Sequence, residues 1–447
     1  MKNITNPLKS AMIELLSQFG RTNEALGYLS KFSTTEPHRF AIIKIGGGVL
    51  TDNLDDIVKS VSFMQKLDLT PILVHGAGPQ LDKALVENNI KTKKVDGLRV
   101  TDEKVIKYVR QVMYDESHKL IDALEAHNIK TRAFHHGIFE CSYLDQEKYG
   151  FVGKPTTLNT ENVIRAAKAG SVPIITPLGE TEGGQMMNIN ADTATQILAR
   201  NIQPRKIVFL TPSGGIWDKK GHIIPAINLA TDYDHLMAQV WIKGGMKIKL
   251  REIKSLLENL PNQSSVSITS GDCLTRELFT HKGAGTLVRK GEALSTENSL
   301  LEDLEPTARA LLEECFKRPL NKHYLKVLPI KQVIWSKSRR AMAIIIEGKD
   351  GISYLDKFAV TPEAQGEGLG AALWAEIIKN HPSLYWRSRT NNAINNWYIG
   401  KADTMVRQKG WLILSYGIEN KDILDAIKID ALSRPVGWGD KKSLGEI

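Results

Sequence analysis

Short apolar runs at residues 40–45, 72–74, 172–175, 206–210 and 266–268 are separated by stretches long enough for crossover helices. The runs are continuously apolar rather than alternating, as strands covered on both faces must be. The chain up to about residue 290 is therefore expected to form an α/β fold, an open, mainly parallel sheet covered by helices. In such a sheet ligands bind beyond the carboxyl ends of the strands, so the residues that follow each run matter most. The first run leads into Lys44-Ile45-Gly46-Gly47-Gly48 and the second into His75-Gly76-Ala77-Gly78-Pro79. Each turn offers backbone N–H groups to an anion, and two at two strand ends are more specific than one. The pattern is not a P-loop, since Gly-x-x-x-x-Gly-Lys-Ser/Thr does not occur.

A third glycine-rich turn, Gln365-Gly366-Glu367-Gly368-Leu369-Gly370, joins a strand pattern at 352–360 to a helix pattern at 369–378. A strand-to-helix turn of this kind predicts a pyrophosphate-bearing ligand. Residues 332–335, 341–347 and 352–360 read as successive antiparallel strands with turns at 337–338 and 349–351, an α+β layout. Six of the eight tryptophans follow position 330, which marks a second module. Its boundary is expected at 291–305, where Ser295-Thr296-Glu297-Asn298 reads as polar linker.

A chain of 447 residues exceeds what one core usually organises. The cysteines Cys141, Cys273 and Cys315 are odd in number and far apart, which argues against a disulfide framework or a zinc site and suits a reducing cytoplasm. No run of about 18 apolar residues predicts a membrane span. Leu8, Met12, Leu15, Leu16 and Phe19 form an amphipathic stripe with Glu14 opposite, which reads as a structural helix rather than a mitochondrial presequence, since presequences are poor in acids and rich in Arg. The net charge of +9 is interspersed, so neither nucleic acid nor membrane is expected as a partner, and anionic small substrates account for it equally well.

With Val95-Asp96-Gly97-Leu98-Arg99, Asn188-Ile189-Asn190-Ala191-Asp192 and Lys243-Gly244-Gly245-Met246-Lys247-Ile248-Lys249, residues 38–290 resemble the amino-acid kinase family, most closely the N-acetylglutamate kinases. The resemblance implies that Lys44 and Lys249 stabilise a transferring phosphoryl group and that Asp192 orients them. Arg99 would clamp the substrate α-carboxylate, with Gly76, Ala77, Gly78, Asn188 and Asn190 completing that pocket. Gly46, Gly47, Thr211, Gly214 and Lys249 would hold ATP, whose Mg2+ arrives with it; no protein metal site is implied. The chemistry is consistent, because phosphoryl transfer to a carboxylate gathers negative charge that fixed cations must offset. Ala77 stands where many bacterial kinases have a third glycine, which leaves the backbone N–H in place. Asp192 could also be a helix N-cap.

Residues 306–447 resemble the GNAT acetyltransferases, and among them the N-acetylglutamate synthase domain. The resemblance implies acetyl-coenzyme A on Phe358, Ala359, Val360, Gln365, Gly366, Gly368, Leu369 and Gly370. It implies glutamate on Lys357, Arg387, Arg389 and Asn392, and Tyr398 near the sulfur as general acid. From the residues alone, Arg387 and Arg389 share a strand face that could equally be solvated or bind phosphate, and Tyr398 beside Trp397 could be a packed aromatic. The pair His135-His136 reads as structural or pocket-lining. The expected protein is a bifunctional synthase and kinase of arginine biosynthesis; a synthase with a kinase-like arginine sensor is the alternative. Residues 1–37, with Glu277 and Gly283, resemble arginine-sensitive kinases, which implies L-arginine as effector and a homo-oligomer, a tetramer.

Overall fold

The computed structural model describes residues 35–439 apart from 243, 280–283 and 366. The amino-terminal stripe and the positions of Gly283 and Gly366 therefore lie outside the described residues. Two compact units separate after residue 290, with only 228–231 of the earlier chain grouped with the later unit.

The first unit is built on an eight-stranded sheet in the order Ala226–Asn228, Thr286–Arg289, Ser265–Thr269, Lys206–Leu210, Ala41–Ile45, Ile72–His75, Val172–Ile175, Thr131–Phe134. From Ser265–Thr269 to Thr131–Phe134 neighbouring strands are parallel. The continuously apolar runs are explained by burial on both faces: Ile42, Ile43, Ile72, Leu73, Ile174 and Val208 are all fully buried. Each such side chain contributes about 1.5–3 kcal/mol relative to exposure. After Ala41–Ile45 the chain adds Ile72–His75 on one side, and it returns later to add Lys206–Leu210 on the other. The strand order therefore reverses beside Ala41–Ile45, and a crevice opens there beyond the carboxyl ends.

A smaller four-stranded sheet, Met186–Asn188, Leu178–Glu180, Phe139–Tyr143 and Gly153–Leu158, is absent from the sequence reading. Its strands are short and only partly apolar, which leaves little periodicity to detect. The hairpin Lys94–Val95 with Leu98–Arg99 turns through Asp96 and Gly97, both at positive φ (52° and 81°), the geometry an Asp-Gly pair favours.

The second unit carries a seven-stranded sheet in the order Leu294–Glu297, Ile330–Ser336, Ala341–Glu347, Ser353–Val360, Leu384–Arg389, Trp411–Tyr416, Thr404–Gln408. Along Ala341–Glu347, Met342, Ile344 and Ile346 enter one core while Ala341, Ala343 and Ile345 enter the other, so this sheet too is covered on both faces. The expected linker at 291–305 is corrected: Leu294–Glu297 pairs antiparallel with Ile330–Ser336, and the helix Glu305–Phe316 begins at its end. Polar Ser295 and Glu297 suit an edge strand as well as a linker, and Leu294, which packs against the core, distinguishes the two.

Candidate active sites

In the first unit a cavity of about 300 Å³ lies at the reversal point and brings together most of the residues expected there. Lys44, Gly47, Gly76, Ala77, Gly78, Arg99, Asn188, Asn190 and Asp192 line it. Lys44 is the next-to-last residue of the strand Ala41–Ile45, and its Nζ lies 2.7 Å from Asp192 Oδ1. The helix Ala191–Ile202 is capped by Asn190, whose Oδ1 accepts from the N–H groups of Asp192 (2.8 Å) and Thr193 (3.3 Å). Asp192 is therefore in the first turn rather than the cap, and its carboxylate is left for the two lysines. Burial alone would raise the Asp192 carboxyl, but Lys44 and Lys249 outweigh it and hold it below the ordinary value.

Lys249, from the helix Gly245–Glu258, is not among the residues lining that cavity; it shares a neighbouring crevice with Asp192, Gln196, Phe209 and Glu252. Its ammonium lies 5.3 Å from the centre of the Phe209 ring. Desolvation lowers its pKa despite Asp192, and desolvation with the nearby Asp192 charge raises that of Glu252. Sequence reasoning missed Glu252 and Gln196; their only signal was helical spacing from Lys249 and Asp192.

The two glycine turns are clamped together. Gln80, on the helix Gly78–Glu87, donates from Nε2 to the Gly47 carbonyl at 2.8 Å and to Thr51 Oγ1 at 2.9 Å. A Cβ on Gly47 would stand 2.6 Å from Gln80 Oε1 and 2.9 Å from Pro79 Cδ, so the close approach of the two turns requires glycine there. The helix Gly78–Glu87 has no side-chain cap, which leaves its first N–H groups available to an anion. Arg99 is buried and pairs with Asp82, which also takes Lys94 at 3.2 Å. Asn188 donates to Thr101 Oγ1 at 3.2 Å. Gly46 N–H donates to Leu210 O at 3.3 Å, tying the first glycine turn to the strand that leads into Thr211 and Gly214. Gly214 takes a positive φ of 66°. His75 and His135 both face Thr176 Oγ1 (3.2 and 3.0 Å), and burial pushes His75 down to about 4, so it serves the core as a neutral ring.

In the second unit Ser353–Val360 and Leu384–Arg389 run parallel but pair only at Ser353↔Leu384 and Tyr354↔Tyr385. Beyond that point no pairing joins the two strands, and Phe358, Ala359 and Val360 lie on the stretch of Ser353–Val360 that pairs with Ala341–Glu347 alone. The helix Leu369–Asn380 begins at the mouth of the following turn, with Gly368 at φ 92° as an uncapped N-cap. Gln365 Nε2 donates back to the Val360 carbonyl at 3.4 Å. Tyr398 is buried, with its ring 6.2 Å from Phe358 on one arm and 5.7 Å from Trp386 on the other. Desolvation raises its pKa well above the ordinary phenol value, so its hydroxyl keeps its proton.

The four residues expected to hold glutamate are not equally free. A bulge at Asp356 places both Asp356 and Lys357 on the face of Tyr324, where strict alternation would have put them on opposite faces. Lys357 Nζ then lies 2.6 Å from Asp356 Oδ2 and 3.0 Å from Tyr324 Oη. Arg387 donates to the carbonyls of Ala431, Arg434 and Pro435 at the end of the helix Lys421–Ser433, a favourable place for a cation. Asn392 donates to Ser388 Oγ at 3.0 Å. Arg389 is exposed and lies 3.8 Å from the Trp411 ring centre, which Arg387 approaches at 4.2 Å. Among the described residues its guanidinium makes no hydrogen bond, so the fork is free for a carboxylate. Arg389→Lys is therefore expected to raise the KM for glutamate about 10–100-fold, measured by initial rates, with the KM for acetyl-coenzyme A little changed. Equal loss of both would assign the arginine to folding or to the coenzyme.

The fold and these two constellations define a phosphoryl-transfer domain joined to an acyl-transfer domain. The Amino acid kinase family profile matches residues 39–270, and that of NAT, the N-acetyltransferase of N-acetylglutamate synthase, matches residues 295–429. The chain is 44% identical to an acetylglutamate kinase of Xanthomonas campestris over 397 residues, 88% of this chain and 93% of the relative. It is 27% identical to the mitochondrial N-acetylglutamate synthase of Homo sapiens over 93% of this chain and 76% of the relative. N-acetylglutamate synthase from Neisseria gonorrhoeae has a similar fold in two solved structures. One is complexed with coenzyme A and N-acetyl-glutamate (TM-score 0.64, 20% identity), the other with coenzyme A and L-arginine (TM-score 0.57, 19% identity); each match covers 89% of this chain and 98% of the other. The chain belongs to the amino acid kinase family, and within it to the acetylglutamate kinases that carry a second, NAT domain.

Proposed function

We propose that the first unit phosphorylates N-acetyl-L-glutamate with MgATP and that the second makes that compound from L-glutamate and acetyl-coenzyme A. The protein is thus a bifunctional enzyme of arginine biosynthesis. The observation that carries the reading is the Lys44–Asp192–Lys249 cluster beside a cavity that also holds Arg99, because a regulatory domain has no need of two cations at a phosphoryl position. Lys44 and Lys249 offset the charge that accumulates on the transferring group; Arg99, once released from Asp82, takes the α-carboxylate. The Gly76–Gly78 turn binds the acyl-amino-acid end, while Gly46, Gly47, Thr211 and Gly214 hold the nucleotide. In the second unit Arg389 orients glutamate, Phe358–Val360 line the thioester and Tyr398 returns a proton to the departing thiolate.

L-Arginine is the effector in this reading, and the enzyme is a homo-oligomer of the cytoplasm. Among the described residues no helix is long and apolar enough to cross a membrane. Glu277 is buried, and its Oε2 accepts from the N–H groups of Ala284 (2.9 Å) and Gly285 (3.1 Å). A guanidinium arriving at this carboxylate would compete with the Ala284 and Gly285 N–H groups, which gives the effector a differential contact of the kind that regulation requires. Assays of both half-reactions, with and without L-arginine, test the whole reading. Both activities are expected, with inhibition of at least one that Glu277→Ala abolishes. Acetylation without phosphorylation would leave the first unit a sensor, and full arginine sensitivity in Glu277→Ala would remove Glu277 from the effector site.

A further inference from the structure

The acetyl-coenzyme A turn contains an acidic residue, Glu367, where a pyrophosphate is expected to dock, and like charges in such proximity oppose binding. The structure shows what restrains it. Arg340 Nη1 lies 2.8 Å from Glu367 Oε2, and the Glu367 side chain is only 9% exposed. The same guanidinium pairs through Nη2 with Glu292, and its Nε donates to Ser338 Oγ at 3.0 Å. Glu292 in turn accepts from the Ser338 N–H at 3.1 Å. The Arg340 backbone is fixed as well, since its carbonyl accepts from Thr361 N–H at 2.9 Å and its own N–H donates to Ser336 Oγ at 3.1 Å. Thr361 starts the segment that leads into the turn, and Gln365 N–H donates to its carbonyl at 3.0 Å.

We infer that Arg340 is a positioning residue for acetyl-coenzyme A: it draws the Glu367 carboxylate back and, shared with Glu292, offsets part of its charge, so that the N–H groups at the start of the helix Leu369–Asn380 meet the pyrophosphate against less negative charge. The inference rests on the reading of residues 365–370 as the coenzyme A turn. A guanidinium suits the task because it can hold two carboxylates and a hydroxyl at once in a fixed plane, which an ammonium cannot. Nothing in the glycine pattern signals it, because Arg340 stands before a different strand.

The test is steady-state acetylation of glutamate by Arg340→Met, Glu367→Gln and the double variant, with acetyl-coenzyme A and with S-acetyl-pantetheine, which lacks the pyrophosphate. Arg340→Met is expected to raise the KM for acetyl-coenzyme A about tenfold, more at low ionic strength, because Glu367, like Glu292, then loses its cation and is no longer drawn back from the phosphates. The KM values for S-acetyl-pantetheine and glutamate should move less than about twofold, which a general loss of folding would not produce. Removing the offending charge in Arg340→Met/Glu367→Gln should restore most of the acetyl-coenzyme A KM. Glu367→Gln alone should leave that KM within about twofold; an unchanged KM in Arg340→Met, or a double variant as impaired as Arg340→Met, would overturn the role of Arg340. Wild-type enzyme that uses both thioesters with equal KM would instead overturn the assignment of the turn to pyrophosphate.

Discussion

Lys249→Ala is expected to lower phosphorylation turnover by about two to three orders of magnitude, the loss typical of removing one preorganised charge at a developing oxyanion. Acetyl transfer, carried by the other unit, should persist, so the ratio of the two activities in one preparation separates catalysis from folding. The structure sharpens the expectation. Asp192 pairs with Lys44 and its carboxyl is depressed by the charges of both lysines, so removal of Lys249 leaves Lys44 and Asp192 in a neutral couple. The remaining pair would have no net charge to offer the phosphoryl group. Because burial lowers the Lys249 pKa, its ammonium is lost at lower pH than that of a free lysine. Phosphorylation should therefore fall as pH rises through that depressed value, and an alkaline limb should appear in kcat that Lys249→Arg displaces upward. Near-wild-type phosphorylation by Lys249→Ala would falsify the assignment.

Tyr398→Phe is expected to cut kcat for acetyl transfer about a hundredfold while leaving both KM values within a few-fold, since a general acid contributes on that scale without contributing to ground-state binding. The ring is packed against Phe358, Trp386 and Trp397, so phenylalanine keeps the shape and removes only the hydroxyl. Burial raises the phenol pKa, so the acid is present throughout the ordinary assay range and its ionisation should set no limb below about pH 10. An unchanged kcat would transfer the proton donation to water or to another group, and would leave Tyr398 as part of the aromatic wall.

The relation between sequence and structure differs between the two sites. In the first unit the strand ends, both glycine turns and the polar residues of the cavity were all readable, because a parallel sheet collects its site residues directly after its apolar runs. The tie from Gln80 to Gly47 and the pairing of Arg99 with Asp82 were not, since they join segments that only the crossover helices bring together. In the second unit the turn at 365–370 and the residues after it were readable as a motif, while their availability was not. One inserted residue at Asp356 turns Lys357 toward Tyr324, and the end of the helix Lys421–Ser433 takes up Arg387, so Arg389 keeps a free fork. A bulge leaves no periodic trace, and a helix terminus meeting a distant strand leaves none either.

What the sequence determined by itself is the local chemistry: which segments are strands buried on both faces, which turns can carry an anion and which residue types stand beside them. Those properties follow from apolar periodicity and backbone freedom, which are written within a few residues of one another. Tertiary structure decided the pairings. The Asp192 carboxylate pairs with Lys44 within the field of Lys249, Glu367 is held back by Arg340, and residues 294–297 form an edge strand rather than a linker. Each of these depends on charges or backbone edges far apart along the chain, and their energies exist only once packing has removed water from between the partners.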